Sequence, residues 1–253
     1  MKMIATIASR EFKTLFLSPL AWSLLAILQL VLAYLFLTQV ETFLTLQPKL
    51  ANLEGAPGLT DIIVPPLFGN AGIILLLVTP LLTMRLVAEE RKHKTLTLLL
   101  SAPVSTLDIV LGKYFGLLGL LLLIVLLVTL MPLTLLIGGD LDLGKLAANS
   151  LALSLLLASF AACGLYLSCL AGQHPSIAAT GTVGFLLLLW LLNWTGVLQN
   201  ERSPVLEYIS LLRHFQALQT GLASTVDIGY FVCFIASFIW LSVRHLEHKR
   251  MKS

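Results

Sequence analysis

Charge is scarce in this sequence. Only 11% of its 253 residues are Asp, Glu, Lys or Arg, against about 25% in a soluble globular domain. So thin a supply cannot cover a water-facing surface. It excludes an ordinary cytosolic enzyme, a disordered chain and a DNA-binding domain, despite a net charge of +3. Cysteine is also scarce: Cys163, Cys169 and Cys233 lie inside apolar runs, odd in number and without metal-ligand spacing. They read as small residues facing lipid or other helices, with no disulfide framework. Charge is missing, too, from the middle of every long apolar run. Ion- and proton-coupled carriers bury such groups as their coupling device, so any transport here draws its energy from elsewhere.

What is present is apolar: 58% of residues are hydrophobic and the mean hydropathy is +0.95. A helix needs about 20 apolar residues to cross a ~30 Å hydrocarbon core. Six stretches qualify, roughly 20–40, 64–84, 109–137, 146–171, 177–197 and 228–243. They are Leu-rich and unbroken, without the alternation of barrel strands. The expected fold class is all-α, a polytopic membrane protein with six transmembrane helices in one domain over residues 1–253. Spans three and four are long enough to tilt or project. Pro132 is expected to bend the third near its outer end, and Pro175 to open the fifth. The first run is too long for a signal-peptide core and is expected to be retained.

Basic residues set the orientation. With the N-terminus inside, twelve of the sixteen Lys and Arg fall on the inner side; only Lys49, Lys145, Arg202 and Arg213 fall outside. This split places both termini, residues 85–108 and residues 172–176 in the cytoplasm. Lipid headgroups and topology account for the inner charge, so no nucleic-acid partner is called for.

Residues 3–18 form an amphipathic helix on a wheel of 100° per residue. Thr6, Ser9, Arg10 and Lys13 share one arc with Lys2, opposite Ile4, Ile7, Ala8, Phe12, Leu15 and Phe16. The pattern is that of a helix lying in the inner interface, broken at Ser18-Pro19. Glu11 is the exception, because it falls within the apolar arc. Either it snorkels to water, or it pairs with a basic residue of another inner element, Arg85 and Arg91 being candidates.

Between spans two and three, the cluster Glu89-Glu90-Arg91 precedes an apolar segment too short to cross a membrane. A capping-box-like Ser105-x-x-Asp108 then starts the next helix. A short helix of this kind commonly fits a groove on a partner protein; the alternative is a loop lying along its own membrane domain. The string from Pro80 to Lys113, with Glu-Glu-Arg, Thr-Leu-x-Leu-Leu and Ala-Pro-Val-Ser before Gly-Lys, resembles the permease subunit of ABC-2 type transporters, in particular their gliding-motility-associated branch. So do the opening Ile7-Ala-Ser-Arg-Glu-Phe-Lys13 with Ser18-Pro-Leu-Ala21, and the closing Tyr208 to Phe215 with Gly221, Asp227 and Tyr230-Phe231.

The resemblance implies an exporter subunit in the bacterial cytoplasmic (inner) membrane. Its interfacial elbow helix at 1–19 would hold Arg10, Glu11 and Lys13. Glu89, Glu90 and Arg91 would flank the contact with a separate ABC ATPase, and Thr95, Leu96, Leu98, Leu99 and Leu100 would form it. No cofactor is expected on this chain; ATP and magnesium would sit on the partner subunit. A second permease copy or a paralogue would complete the transporter. The segment 198–227 resembles short helices that dip back into the outer leaflet before span six; a surface amphipathic helix is the other reading.

Other motifs carry less. Gly139-Asp-Leu-Asp-Leu-Gly144-Lys145 satisfies the phosphate-loop spacing, but Leu146 stands where a magnesium-binding Ser or Thr is needed and no strand precedes it. Glu89-Glu90 raises a membrane-embedded hydrolase, which would need metal ligands within the bilayer; all five histidines fall at or outside span ends. Gly112-x-x-x-Gly116 permits close helix approach within the subunit or at a dimer seam. A non-catalytic membrane scaffold is the remaining alternative.

Overall fold

The computed structural model describes residues 2–50, 58–92, 104–137, 140–172, 174–198, 208–221 and 224–250; among them every regular element is helical. Helix α1 (Lys2–Phe16) closes with turns from Leu17 and Ser18 back to Lys13 and Leu15, and Pro19 opens α2 (Pro19–Leu50). Proline is tolerated there because a first-turn N–H has no intrahelical partner. With 32 residues, α2 reaches about 48 Å and so outruns a ~30 Å core. Helix α3 (Leu59–Thr83) passes into a π-helical turn at Arg85–Glu89 and a short helical turn at Glu90–Lys92.

Helix α4 (Thr106–Leu133) starts where expected. The Ser105 hydroxyl accepts from the Asp108 N–H at 3.1 Å and donates to the Asp108 carboxylate at 2.8 Å. Pro132 falls in its last turn, which tightens into a 3-10 turn at Thr134–Ile137. Helix α5 (Leu143–Leu170) ends at Gly172, whose φ of +67° suits a residue without Cβ, and α6 (Pro175–Leu198) then begins on its proline. A short α7 (Leu211–Gln219) and a long α8 (Thr225–Arg250) complete the order.

The core lies around α5, which packs against α3, α4, α6, α7 and α8. Within its most apolar window 72% of residues are buried, against 17% for α2 and for α8. Lipid gives helices no hydrophobic drive to associate, so close packing of small residues does that work. Ala161, Ala162 and Gly164 of α5 are accordingly buried, and a Cβ on Gly164 would stand 2.7 Å from the Thr83 Cβ of α3. The exposed flanks of α2 carry Trp22, Ile27, Leu30, Tyr34 and Leu37 outward, as a lipid-facing surface requires.

Among the described residues, five helices are long and apolar enough to cross a membrane: Pro19–Lys49, Leu59–Ala88, Thr106–Ile137, Leu143–Leu170 and Thr225–Lys249. The sixth expected span coincides with α6, whose described apolar part, Pro175–Leu191, is shorter. The side chains of 192–198 lie outside the described residues.

Candidate functional site

One end of the bundle gathers α1, the turn after α3, the start of α4 and the end of α5. Its assembly begins with glycine. A Cβ on Gly112 would meet the Ile7 side chain at 2.6 Å, and one on Gly116 would meet the Glu11 Cβ at 2.6 Å and the Ala8 carbonyl at 3.0 Å. A third, on Gly119, would meet the Phe12 ring at 3.1 Å. The apolar side of α1 therefore lies on a glycine face of α4, backbone close to backbone. The small-residue spacing in α4 thus serves packing within the subunit.

This contact explains Glu11. Its position inside the apolar arc points it at α4, where Lys113 waits one residue after Gly112. The Lys113 ammonium lies 2.9 Å from Glu11 Oε1 and 2.8 Å from Glu90 Oε1. Lys113 is only 1% exposed, and the two carboxylate side chains are 16% and 25% exposed. Removing an ion from water costs several kcal/mol unless partners compensate, and two carboxylates do so here. Arg85 and Arg91, the basic residues considered for Glu11 from the sequence, are directed elsewhere: Arg85 Nη1 donates to the Ser18 hydroxyl at 3.2 Å and Arg91 Nη1 to the Cys169 carbonyl at 3.0 Å.

The π-helical turn is held just as firmly. Widening a helix by one residue leaves N–H groups without their usual acceptors. Those of Val87 and Ala88 donate to the Ser168 hydroxyl of α5 at 3.2 and 3.1 Å. Arg91 sits at the carbonyl-rich end of α5, where a cation is favoured. Its burial lowers its pKa from the ordinary guanidinium value, yet a guanidinium remains protonated in proteins.

The other expected residues divide clearly. Arg10 and Lys13 are exposed and line an open groove on α1 with Thr6, Ser9 and Thr14. Glu89 belongs to the π-helical turn, with its side chain outside the described residues. Thr95, Leu96, Leu98, Leu99 and Leu100 also lie outside them. Lys113 is the residue that sequence reasoning missed as a partner for Glu11. The signal was available: it is the sole charged residue between Asp108 and Asp140, placed beside the Gly112-x-x-x-Gly116 pair.

The opposite end is built from the closing string of the sequence. His214 of α7 is buried, with Nδ1 2.6 Å from Asp227 of α8 and Nε2 2.9 Å from the Tyr208 carbonyl. Tyr230 stacks on its ring at 4.0 Å and donates to the Ile209 carbonyl at 2.6 Å. Both ring nitrogens are thus committed to structure, which leaves neither for hydrolytic chemistry. Leu211, Leu212, Phe215 and Leu218 bury the apolar side of α7 in the bundle, and Gln219 donates to the Pro65 carbonyl of α3 at 3.2 Å. This helix is seated among α5, α6 and α8 rather than resting on the surface. Gly144 and Lys145 of the phosphate-loop spacing form the first turn of α5, capped by Asp142 at 2.8 and 3.1 Å, and Lys145 pairs with Asp61. That spacing is a helix cap.

Compared with known families, the chain matches the model for ABC-2 family transporter proteins over residues 5–244. A search of curated proteins finds no match.

Proposed function

The chain belongs to the ABC-2 transporter family, as a membrane permease subunit, and from that premise we propose that it is the translocation subunit of an ATP-driven exporter, coupled to a separate ABC ATPase. Family membership from residue 5 to residue 244 carries the reading. The structure adds support at the end where α1 and residues 85–92 meet. The chain leaves this braced base at Lys92 and returns to it at Val104, so the intervening segment, which includes Thr95–Leu100, has a rigid footing from which to contact a partner.

In this reading α1 is the elbow helix, with Arg10 and Lys13 toward inner-leaflet headgroups. Helix α6 supplies the sixth span. The N-terminus, the 85–108 connection, the end of α5 and the end of α8 face the cytoplasm of a bacterial inner membrane, as the basic residues favour. Two permeases, identical or paralogous, meet two ATPases, which hold ATP and magnesium. The strings from Pro80 to Lys113 and from Tyr208 to Phe231 support placement in the gliding-motility-associated branch.

The test is direct. The purified chain alone should hydrolyse no ATP, and isolated from its native membrane it should carry an ABC ATPase with it as a complex. That complex should hydrolyse ATP and contain two 27.6 kDa permeases by mass photometry. Hydrolysis by the isolated chain, or failure to associate, would refute the reading.

A further inference from the structure

Lys113 closes the base of the loop that Thr95–Leu100 belong to. Glu90 lies on the outgoing side of that loop and Lys113 on the returning side, 23 positions later in the sequence. A 2.8 Å ion pair between them ties the turn that ends at Lys92 to the first turns of α4. The second ion pair, to Glu11 at 2.9 Å, carries the brace onto α1, 102 positions away. Helix α1 is in turn pressed on Gly112, Gly116 and Gly119 of α4, so it follows α4 as one body. Burial of the ammonium makes these contacts resistant to the salt screening that weakens surface pairs.

We propose that Lys113 is the positioning residue that joins the turn at residues 85–92, from which the ATPase-facing segment departs, to α1 and α4, so that a displacement of that turn becomes a movement of both helices. The inference rests on the coupled-permease function proposed above and names the part that transmits it. A loop anchored through flexible backbone would absorb a partner's push locally. One braced by Glu90, Lys113 and Glu11 passes it to α4, which continues to Ile137 at the far end of the bundle.

The experiment uses the assembled permease–ATPase complex. A spin label replaces Ile137, which is 94% exposed, in a background with the three cysteines changed to serine or alanine. Electron-electron distances between the two copies are measured without nucleotide and after trapping with ATP and vanadate. The unaltered complex should shift its distance distribution on trapping. Lys113→Met should still bind the ATPase and hydrolyse ATP, with the trapped-distance population lowered roughly tenfold, while Lys113→Arg retains the shift. A purely stabilising role predicts instead that hydrolysis and distance change fall together with thermal stability.

Removing one member of a buried ionic group can unfold a protein. Glu11→Gln guards against that, since Lys113 keeps Glu90 and gains an amide oxygen in place of one carboxylate. Where Lys113→Met fails to assemble, Glu11→Gln decides: it should assemble, hydrolyse ATP and show a reduced shift. A full shift in Lys113→Met, or in Glu11→Gln where that variant decides, overturns this inference and leaves the permease reading intact. An unaltered chain that binds no ATPase overturns both, so the two failures are distinguishable.

Discussion

Gly116 and Gly181 have the same side chain and opposite surroundings. A Cβ on Gly116 would stand 2.6 Å from the Glu11 Cβ, with the Ala8 backbone behind it, whereas nothing lies within 4 Å of one on Gly181. Gly116→Val should therefore destabilise the fold by about 1–3 kcal/mol through overpacking. Gly181→Ala should stabilise α6 by up to about 1 kcal/mol, because glycine is entropically costly in a helix interior. Unfolding equilibria in mixed detergent micelles would read both; equal effects would contradict the docking of α1 on α4. At this scale the sequence was legible in part. Glu11 stood out as a carboxylate among apolar positions, to be met either by water or by a cation. The helical wheel of α1 alone could not say which one, since Lys113 is brought to it only by a contact between segments 102 positions apart.

Among the elements, the turn after α3 is the least readable and the most connected. Five residues of π-helix leave no periodic trace in a sequence, and no cap residue marks Arg85–Glu89. The Ser105 cap of α4 and the proline start of α6 were visible because each rests on local chemistry. Stability of the π-helical turn depends on Ser168, whose hydroxyl accepts from two backbone N–H groups. Ser168→Ala should leave them buried without an acceptor and cost about 1–3 kcal/mol. Hydrogen exchange by mass spectrometry should then show faster exchange confined to the segment around Val87 and Ala88. Unchanged exchange would mean that the hydroxyl does not hold the turn. The mutual placement of Tyr208, His214, Asp227 and Tyr230 was hidden for a similar reason: these residues are scattered over 23 positions and meet only when α7 folds into the bundle.

At the scale of the whole molecule, composition settled the class early, since so few charges over so many apolar runs leave only a membrane bundle. Five helices of the described residues meet the length and hydropathy of a span, and α6 lies where a sixth was expected. Partner choice lies beyond what composition reveals, because the proposed function assigns it to one short apolar segment. Leu96, Leu99 and Leu100 follow i, i+3, i+4 spacing, which puts them on one side of a helix. Burying a leucine side chain contributes about 1.5–3 kcal/mol. Replacing Leu99 and Leu100 together by aspartate should remove that contribution and set two charges against an apolar groove. The measurement is the dissociation constant between the ABC ATPase and the permease carrying both substitutions, at matched membrane insertion. Weakening by roughly a hundredfold or more is expected, since each 1.4 kcal/mol is tenfold; an affinity equal to that of the unaltered permease would contradict coupling through this loop.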